Sequence, residues 1–444
     1  MSGWRDVRHQ LFEARFNGLA HPDFDRDLPR AAVRVLTCRL VGGAAVEAQE
    51  YATQLGQSSG PGFEVWDRET LRSMMTAHPG CGLAGGSPGD LLALLGSIGQ
   101  GKSDHTSIEQ YSRRWTESPL QRVAVEAAVV AHRLRTNRRS DLAAITALAL
   151  LRAALCQPSV PQCRELAAVA RRLYATYAAG LLDRYQPAVD NPPDLVKLID
   201  SGFVHVTYPV TCMTLAETWG LPALAPHVDP DITHRARASV AALLKHQPGA
   251  AHPISDRWAV SIIPAVLAAA AIDRAAVEAY LHSVVTWVAD AYDNGIGLAS
   301  TRATPADEVT MLLGPELEHI EVAKPATSYL ATVLIDLAAA ADVPDTYQYA
   351  VNELLAAGAA PTFITADEAQ AKWGAVNSGL QIVPVVRYRE MWAPGGPLAL
   401  HHDETAPADI AAWDALALAT LPRNRHHWWA IRQTLREGES PCAT

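Results

Sequence analysis

The sequence predicts a mainly α-helical protein: an irregular multi-helix bundle or solenoid-like body, with a small N-terminal α/β element and a short β segment near 380–388. Of the 444 residues 49% are hydrophobic and only 19% are charged, which supports a large packed core. Alanine, the best helix former, is abundant,. Beyond residue 90, apolar residues recur mostly at helical spacing. No fixed repeat period accompanies this spacing.

The N-terminal element alternates strands and helices. Val33–Cys38 is a short β-branched run, and an Ala/Glu/Gln-rich helix is expected over 44–55. A second strand, Phe63–Trp66, is followed by Asp67, where a helix N-cap belongs, and by the helix Glu69–Ala77,. The order strand–helix–strand–helix is sufficient for a parallel βαβ unit.

The chain is longer than one compact core usually needs, so two or three domains are expected. A Gly/Pro-rich stretch at 79–89 predicts a linker. A second break is expected near the His/Pro/Asp-rich segment 226–234. The predicted domains are therefore a small α/β element at 1–78, a helical domain at 90–225, and a helical domain with a short β segment at 234–444.

Helicity is interrupted once near the C-terminus. Leu380–Tyr388 is typical of a strand that Pro384 breaks, which predicts an edge strand or a bulge. Two helices are expected to close the chain, at 407–420 and 425–437. The last helix is predicted to lie on the core with Trp428 or Trp429 as its anchor.

Composition excludes several classes of function. A net charge of -10 disfavours broad attraction to nucleic acid or anionic membranes,. The six cysteines are scattered without a C-x-x-C pair, which indicates reduced thiols in the cytoplasm. Two apolar runs, 142–156 and 258–272, are shorter than the roughly 20 residues of a spanning helix. We therefore expect a cytoplasmic protein with no membrane partner.

One string matches a nucleotide-binding motif. Gly96–Ser103 satisfies the pattern G-x-x-x-x-G-K-S of a phosphate-binding loop,. Such a loop needs a buried strand before it, yet Asp90–Leu95 has no β-branched residue. The next helix is expected to begin near Thr106, with Glu109 at capping-box distance. A glycine-ended helix, a loop and a second helix is the favoured interpretation, and phosphate binding is the alternative.

A basic cluster is the candidate binding site. Such arginines at nearby helix ends can contact nucleic-acid phosphates; they are Arg113, Arg114, Arg133, Arg135, Arg138 and Arg139. The alternative is that these cations stabilise helix C-termini, at about 0.3–1 kcal/mol each. In that case Glu126 and Asp141 are available as their partners.

Histidine and carboxylate clusters offer weaker candidates. They are His227/Asp229/Asp231/His234, His401/His402/Asp403/Glu404 and His426/His427, and Asp290/Asp293 is a further acidic pair. None has the His-Glu-x-x-His spacing that places metal ligands on one helix face. We therefore predict no metal site, no cofactor and no catalytic residue. An enzyme assembled from distant helices is the alternative, with His401, His402, Asp403, Asp290 and Asp293 as its best candidates.

Residues 21–77 resemble the C-terminal part of a restriction-endonuclease-like domain of the Mrr type, found in bacterial defence proteins. A strand ending in Leu36-Thr37-Cys38, an Ala/Glu-rich helix, and the strand Phe63–Asp67 leading directly into a helix carry the likeness. The family's catalytic core is an Asp and a Glu-x-Lys that hold Mg²⁺. The first 100 residues contain no such Glu-x-Lys, and Glu13-Ala14-Arg15 is the nearest imitation. The resemblance therefore implies a truncated domain without catalysis.

The expected function is that of a non-catalytic scaffold, adaptor or sensor subunit of a bacterial assembly, with anti-phage defence as its context. A protein partner or a second copy of the chain is expected, because eleven tryptophans are available for interface anchoring,. Two alternatives stay open. One is an enzyme whose site comes from distant helices, and the other is a nucleic-acid-binding module that uses the Arg113–Arg139 cluster.

Overall fold

The computed structural model describes most of the chain: residues 31–36, 42–57, 62–77, 88–157, 162–199, 203–301, 303–313, 325–364, 382–384, 410–423 and 426–439. The chain divides into two compact units, Met1–Leu92 and Ala93–Thr444. The boundary lies inside a helix rather than in the predicted linker. The division of the helical body into 90–225 and 234–444 stays a prediction.

The first unit contains the predicted βαβ arrangement. Its elements are β1 (Ala31–Val35), α1 (Gly43–Gln57), β2 (Gly62–Trp66) and α2 (Arg68–Ala77). β1 and β2 pair in parallel, with Val33 opposite Glu64. Asp67 caps α2 as predicted, because its Oδ1 accepts a hydrogen bond from Thr70 N at 2.9 Å.

The helical body begins with a run of helices separated by short connecting segments. They are α3 (Pro88–Gly99), α4 (His105–Ser112), α5 (Leu120–Thr136), α6 (Ser140–Leu155), α7 (Cys163–Tyr185), α8 (Pro192–Lys197) and α9 (Val204–Leu224). α6 packs on both α5 and α7. It is rich in Ala and Leu, and residues 142–154, with Thr146 and Arg152 among them, are buried without a break. A helix that is buried on all its faces belongs to the centre of a core.

The remaining helices complete the body. They are α10 (Pro230–His246), α11 (Ile262–Ala270), α12 (Arg274–Asp293), α13 (Pro305–Leu313), α14 (Tyr329–Ala340), α15 (Pro344–Ala356), α16 (Ala412–Ala419) and α17 (Trp428–Glu439). α9 packs against α10 and α11. Gly220 permits the close approach to α11, since a Cβ there would lie 2.6 Å from Ala265 N.

A small sheet lies beside α14. Its strands are β3 (Thr327–Ser328), β4 (Ala360–Ile364) and β5 (Ile382–Pro384), in the order β3-β4-β5. β5 pairs antiparallel with β4 and lies at the edge, as Pro384 predicts. The rest of 380–388 lies outside the described residues. β4 was not predicted; Thr362 N donates to Thr332 Oγ1 of α14 at 2.7 Å, a contact that ties the strand to the helix.

The predicted mainly α-helical class is confirmed, with strands confined to these short sheets among the described residues. The predicted closing helix is α17, where Trp428 and Trp429 are both buried. Across the described ranges, no helix combines the length and the apolar character needed to cross a bilayer.

Candidate functional site

The Gly96–Ser103 string forms a helix C-terminus. α3 runs up to Gly99, and Lys102 N donates to Ser97 O at 3.0 Å while Gly101 N donates to Ile98 O at 3.1 Å. Gly101 has a φ of 70°, the left-handed conformation with which helices commonly end. These amides satisfy helix carbonyls, so they do not face outward to hold a phosphate. The favoured interpretation of the string as a glycine-ended helix therefore agrees with its geometry.

α4 begins at His105, one residue before Thr106, the residue expected to cap it. Asp104, not Thr106, is the N-cap, and Asp104 and Ser107 form the capping box. Glu109, the expected capping partner, is instead buried between two arginines: Arg113 Nη2 lies 2.9 Å from its Oε2 and Arg152 Nη1 lies 3.2 Å from its Oε1. The expected capping box was therefore wrong, because stronger charge pairs hold Glu109.

The structure divides the six candidate arginines into two groups. Arg113 pairs with Glu109, as just described, and Arg114 Nη2 lies 3.6 Å from Glu126 Oε2 while its guanidinium stacks over Tyr111. Arg139 Nη2 lies 2.8 Å from Asp141 Oδ2. The charges of these three arginines are therefore engaged by nearby carboxylates. Arg133, Arg135 and Arg138 are exposed.

Glu126 is the centre of the first pairing group. Tyr111 OH, Trp115 Nε1 and Arg122 Nε donate to its carboxylate at 2.8, 2.9 and 2.8 Å. Burial alone would raise the pKa of Glu126, but the hydrogen bonds outweigh burial and lower its pKa. The carboxylate therefore stays charged, and its role is to join α4, α5 and the turn between them.

A second polar cluster lies deep in the body. Arg423, between α16 and α17, donates from Nε and Nη2 to both oxygens of Glu217 on α9, at 2.9 and 2.8 Å. Ser261 Oγ donates to the same carboxylate at 2.5 Å. The Arg423 guanidinium also stacks 4.2 Å above the Trp258 ring. This geometry satisfies both charges of a fully buried ion pair.

Arg257 extends this cluster toward α4 and α13. Its Nη2 donates to Thr106 Oγ1 at 3.0 Å and its Nη1 lies 3.8 Å from Glu308 Oε1. Ser255 Oγ donates a hydrogen bond to Glu308 Oε1. Burial raises the pKa of Glu308 and lowers that of Arg257, and each partner's charge works against that effect of burial.

Asp256 faces the beginning of α14. It accepts hydrogen bonds from Ser328 Oγ, Tyr329 N and Leu330 N at 2.8, 2.8 and 3.1 Å. Burial raises its pKa to about 6, and these three donors limit the rise. The side chain thereby satisfies two of the amides that every helix N-terminus leaves free.

His105 lies buried in the same region. Its Nε2 is 2.7 Å from Leu421 O, and because a carbonyl only accepts, Nε2 carries the proton. Burial lowers the pKa of His105, and the charges of Arg423 and Arg257 lower it further. His105 is therefore a neutral side chain that links α4 to the end of α16.

One hydrogen-bonded chain has the order of a catalytic triad. Tyr329 OH lies 2.8 Å from His426 Nδ1, and His426 Nε2 lies 2.8 Å from Asp336 Oδ2. The carboxylate accepts, so the ring donates from Nε2 and its Nδ1 accepts a hydrogen bond from Tyr329 OH,. Tyr329 and Asp336 are 1% and 0% exposed, which leaves no direct route for a substrate to the tyrosine oxygen.

The other sequence candidates remain dispersed. Asp290 and Asp293 are exposed on the last turn of α12. Asp229 caps α10 through a hydrogen bond from Asp231 N, and His227 packs edge-on against Trp413. His401, His402, Asp403 and Glu404 lie outside the described residues. Within the described ranges, no group of three His, Cys, Asp or Glu side chains is placed to hold a metal ion.

The deep cluster was missed by sequence reasoning. Asp256 and Arg423 lie in polar runs, beside Arg257 and Asn424, so neither stands out in the sequence. Glu217, by contrast, is the one Asp, Glu, Lys or Arg residue of the mostly apolar helix α9. Such a position indicates a buried partner of opposite charge, because an isolated buried charge is very costly. It does not indicate which partner, since the partner lies 206 positions away in the case of Glu217 and Arg423.

Comparison with protein families, curated proteins and solved structures finds no match for this chain.

Proposed function

We propose that the chain is a non-catalytic helical scaffold or adaptor subunit that binds a protein partner in a bacterial assembly. The observation that carries the proposal is the internal use of its buried charges. Glu109, Glu126, Glu217 and Asp414 each pair with an arginine inside the body. Charges used in this way brace helices and are not available for chemistry on a ligand.

Bracing of this kind supports a binding role. Arg171 of α7 donates to both oxygens of Asp414 of α16, at 2.9 and 2.7 Å, and the Glu217–Arg423 pair joins α9 to the segment that follows α16. A helical body held in one arrangement presents a preformed surface, which lowers the entropic cost of binding a partner. The proposed defence context depends on the resemblance of 21–77 alone.

The second candidate function is an enzyme, which the Tyr329–His426–Asp336 chain favours. One experiment separates the two. Tyr329→Phe removes the phenolic proton and retains the ring, so the fold is expected to survive. For a scaffold, the variant retains the stoichiometric partner that the wild-type full-length chain brings down from its native host. It also retains any cellular phenotype of the gene.

The scaffold proposal fails if the wild-type chain brings down no stoichiometric partner and forms no oligomer. It also fails if Tyr329→Phe abolishes the cellular phenotype while circular dichroism and partner binding are unchanged, because a proton of Tyr329 would then be required. Thr286→Val is the matched control, because it also removes a partly buried hydroxyl hydrogen bond, the one to Tyr349 OH at 2.9 Å.

A further inference from the structure

Four exposed cations form what we term the basic corner: Lys102, Arg133, Arg135 and Arg138. All four side chains are exposed, and none forms an ion pair with another described residue. They differ in this respect from Arg113, Arg114 and Arg139, whose carboxylate partners are described above. The basic corner therefore keeps its positive charge available to solvent.

The fold joins the two sequence motifs that supply the basic corner. The Arg133 guanidinium covers Gly99, and a Cβ at Gly99 would collide with its Nη2 and lie 3.4 Å from its Cζ. Arg139 Nη1 donates to Ser103 O at 3.2 Å. These contacts hold the 99–103 loop against the end of α5, so Lys102 and Arg133 lie at the same end of that helix as Arg135 and Arg138.

Arg138 occupies a backbone conformation that favours glycine. Its φ is 58°, and Arg139 N donates to Leu134 O at 2.9 Å, which closes the C-terminus of α5. Glycine is the usual residue at this position, and another residue there costs on the order of 1 kcal/mol. The chain therefore carries a fourth exposed cation at a position where glycine would cost less, and Arg138→Gly can remove that cation without adding backbone strain,.

Neighbouring carboxylates do not cancel the charge of the basic corner. Asp141 is paired with Arg139, and Asp104, the cap of α4, retains a single negative charge that offsets at most one of the four cations. The net charge of the chain is -10, yet charges further than about 8 Å are largely screened at physiological ionic strength. A polyanion in direct contact with the basic corner therefore experiences mainly its cations.

We propose that the basic corner binds the phosphate backbone of a nucleic acid without reading its sequence. Arginine suits this role because its planar fork matches a phosphate. The centre of a protein–protein interface needs exposed apolar groups. Among the described residues from 93 to 168, which include the basic corner, no large hydrophobic side chain is exposed. This activity is additional to the proposed scaffold function and does not depend on it.

The test is binding of the full-length chain to a fluorescent double-stranded oligonucleotide over a range of salt concentrations. The combined variant Arg133→Gln, Arg135→Gln and Arg138→Gly is expected to weaken binding at low salt by about tenfold or more, and to lower the slope of log K against log salt by about 1 per arginine. Arg436→Gln is the matched control, because Arg436 is an exposed arginine in the last turn of α17. It is expected to leave both quantities unchanged.

Arg138→Gly alone separates binding from a structural role. Glycine adopts the left-handed backbone conformation of residue 138 without strain, so the variant is expected to have a higher melting temperature,. Loss of the cation is expected to lower the affinity for the oligonucleotide. The proposal is overturned if the melting temperature rises and the affinity does not change, or if the wild-type chain does not bind at low salt. Equal binding to poly-glutamate at matched charge would also overturn it, since the surface would then suit an acidic protein.

Discussion

Arg423 donates two hydrogen bonds to Glu217, one to each carboxylate oxygen, and the two residues are 206 positions apart in the chain. Each side chain is at most 5% exposed. This bidentate pair compensates both buried charges. Loss of either side chain would leave the other charge buried without its partner.

Removal of one partner should therefore be costly. Arg423→Met leaves the Glu217 carboxylate buried without its cation, and we expect a loss of about 3–5 kcal/mol in the free energy of unfolding. The urea midpoint measures this loss. Adding Glu217→Leu to Arg423→Met should recover most of it, since an apolar pair of similar volume has no charge to compensate.

The control for this pair is the exposed ion pair of Lys197 with Asp194. Asp194→Asn should not shift the urea midpoint, because solvent already screens that pair,. A midpoint for Arg423→Met as high as that of this control would contradict the structural role given to the buried fork.

A methyl group at Gly220 should destabilise the contact of α9 with α11. A Cβ at this position would meet the backbone of Pro264 and Ala265 at 2.7 and 2.6 Å, and backbone moves less readily than a side-chain end. We expect Gly220→Ala to cost about 1–3 kcal/mol, read from the melting temperature. Gly180→Ala is the matched control, because that helical glycine has open space around it, and it should stabilise α7 by up to about 1 kcal/mol.

His105 should make stability depend on pH. Its folded pKa lies well below the ordinary 6.5 because of burial and the charges of Arg423 and Arg257. The neutral ring therefore contributes stability above pH 6.5, and this stability is lost as the pH falls below that value. The loss should reach about 1.4 kcal/mol per pH unit.

The variant His105→Gln should flatten this dependence in urea titrations at several pH values below 6.5. Burial also lowers the pKa of His227 and His252, so a residual slope is expected from them. Equal slopes in wild type and His105→Gln would show that His105 becomes charged in the folded protein.

Asp256 should titrate near neutrality. Its carboxyl is expected to have a pKa of about 6 because of burial, and its signal in carboxyl-carbon NMR can be assigned by difference from Asp256→Asn. Since the folded pKa lies above the ordinary value of 3.8, its contribution to stability is present below that value and decreases as the pH rises through 6. A measured pKa below 4 would show that the three hydrogen-bond donors outweigh burial.

Local pattern was sufficient to predict the helical class, the parallel βαβ element and the edge strand at Pro384. These features depend on neighbours within a few residues. The basic cluster was predicted as one set, and its division could not be foreseen in full, because Arg113 is held by Glu109, a residue that the sequence assigned to a capping box. The loop at Gly101 shows that a matching motif is not sufficient evidence for a site. The Gly96–Ser103 string fits the phosphate-binding pattern, but its backbone amides donate to carbonyls at the end of α3.

The position of Arg423 also affects how the protein is made. A ribosome adds about 5–20 residues per second, so Glu217 is synthesised roughly 10–40 s before the arginine that neutralises it. During that interval the Glu217 carboxylate of α9 has no arginine to pair with, so its burial in an apolar interior would be costly. The nascent body is therefore expected to stay loosely packed until the C-terminal helices emerge, and only then to close around its charged centre.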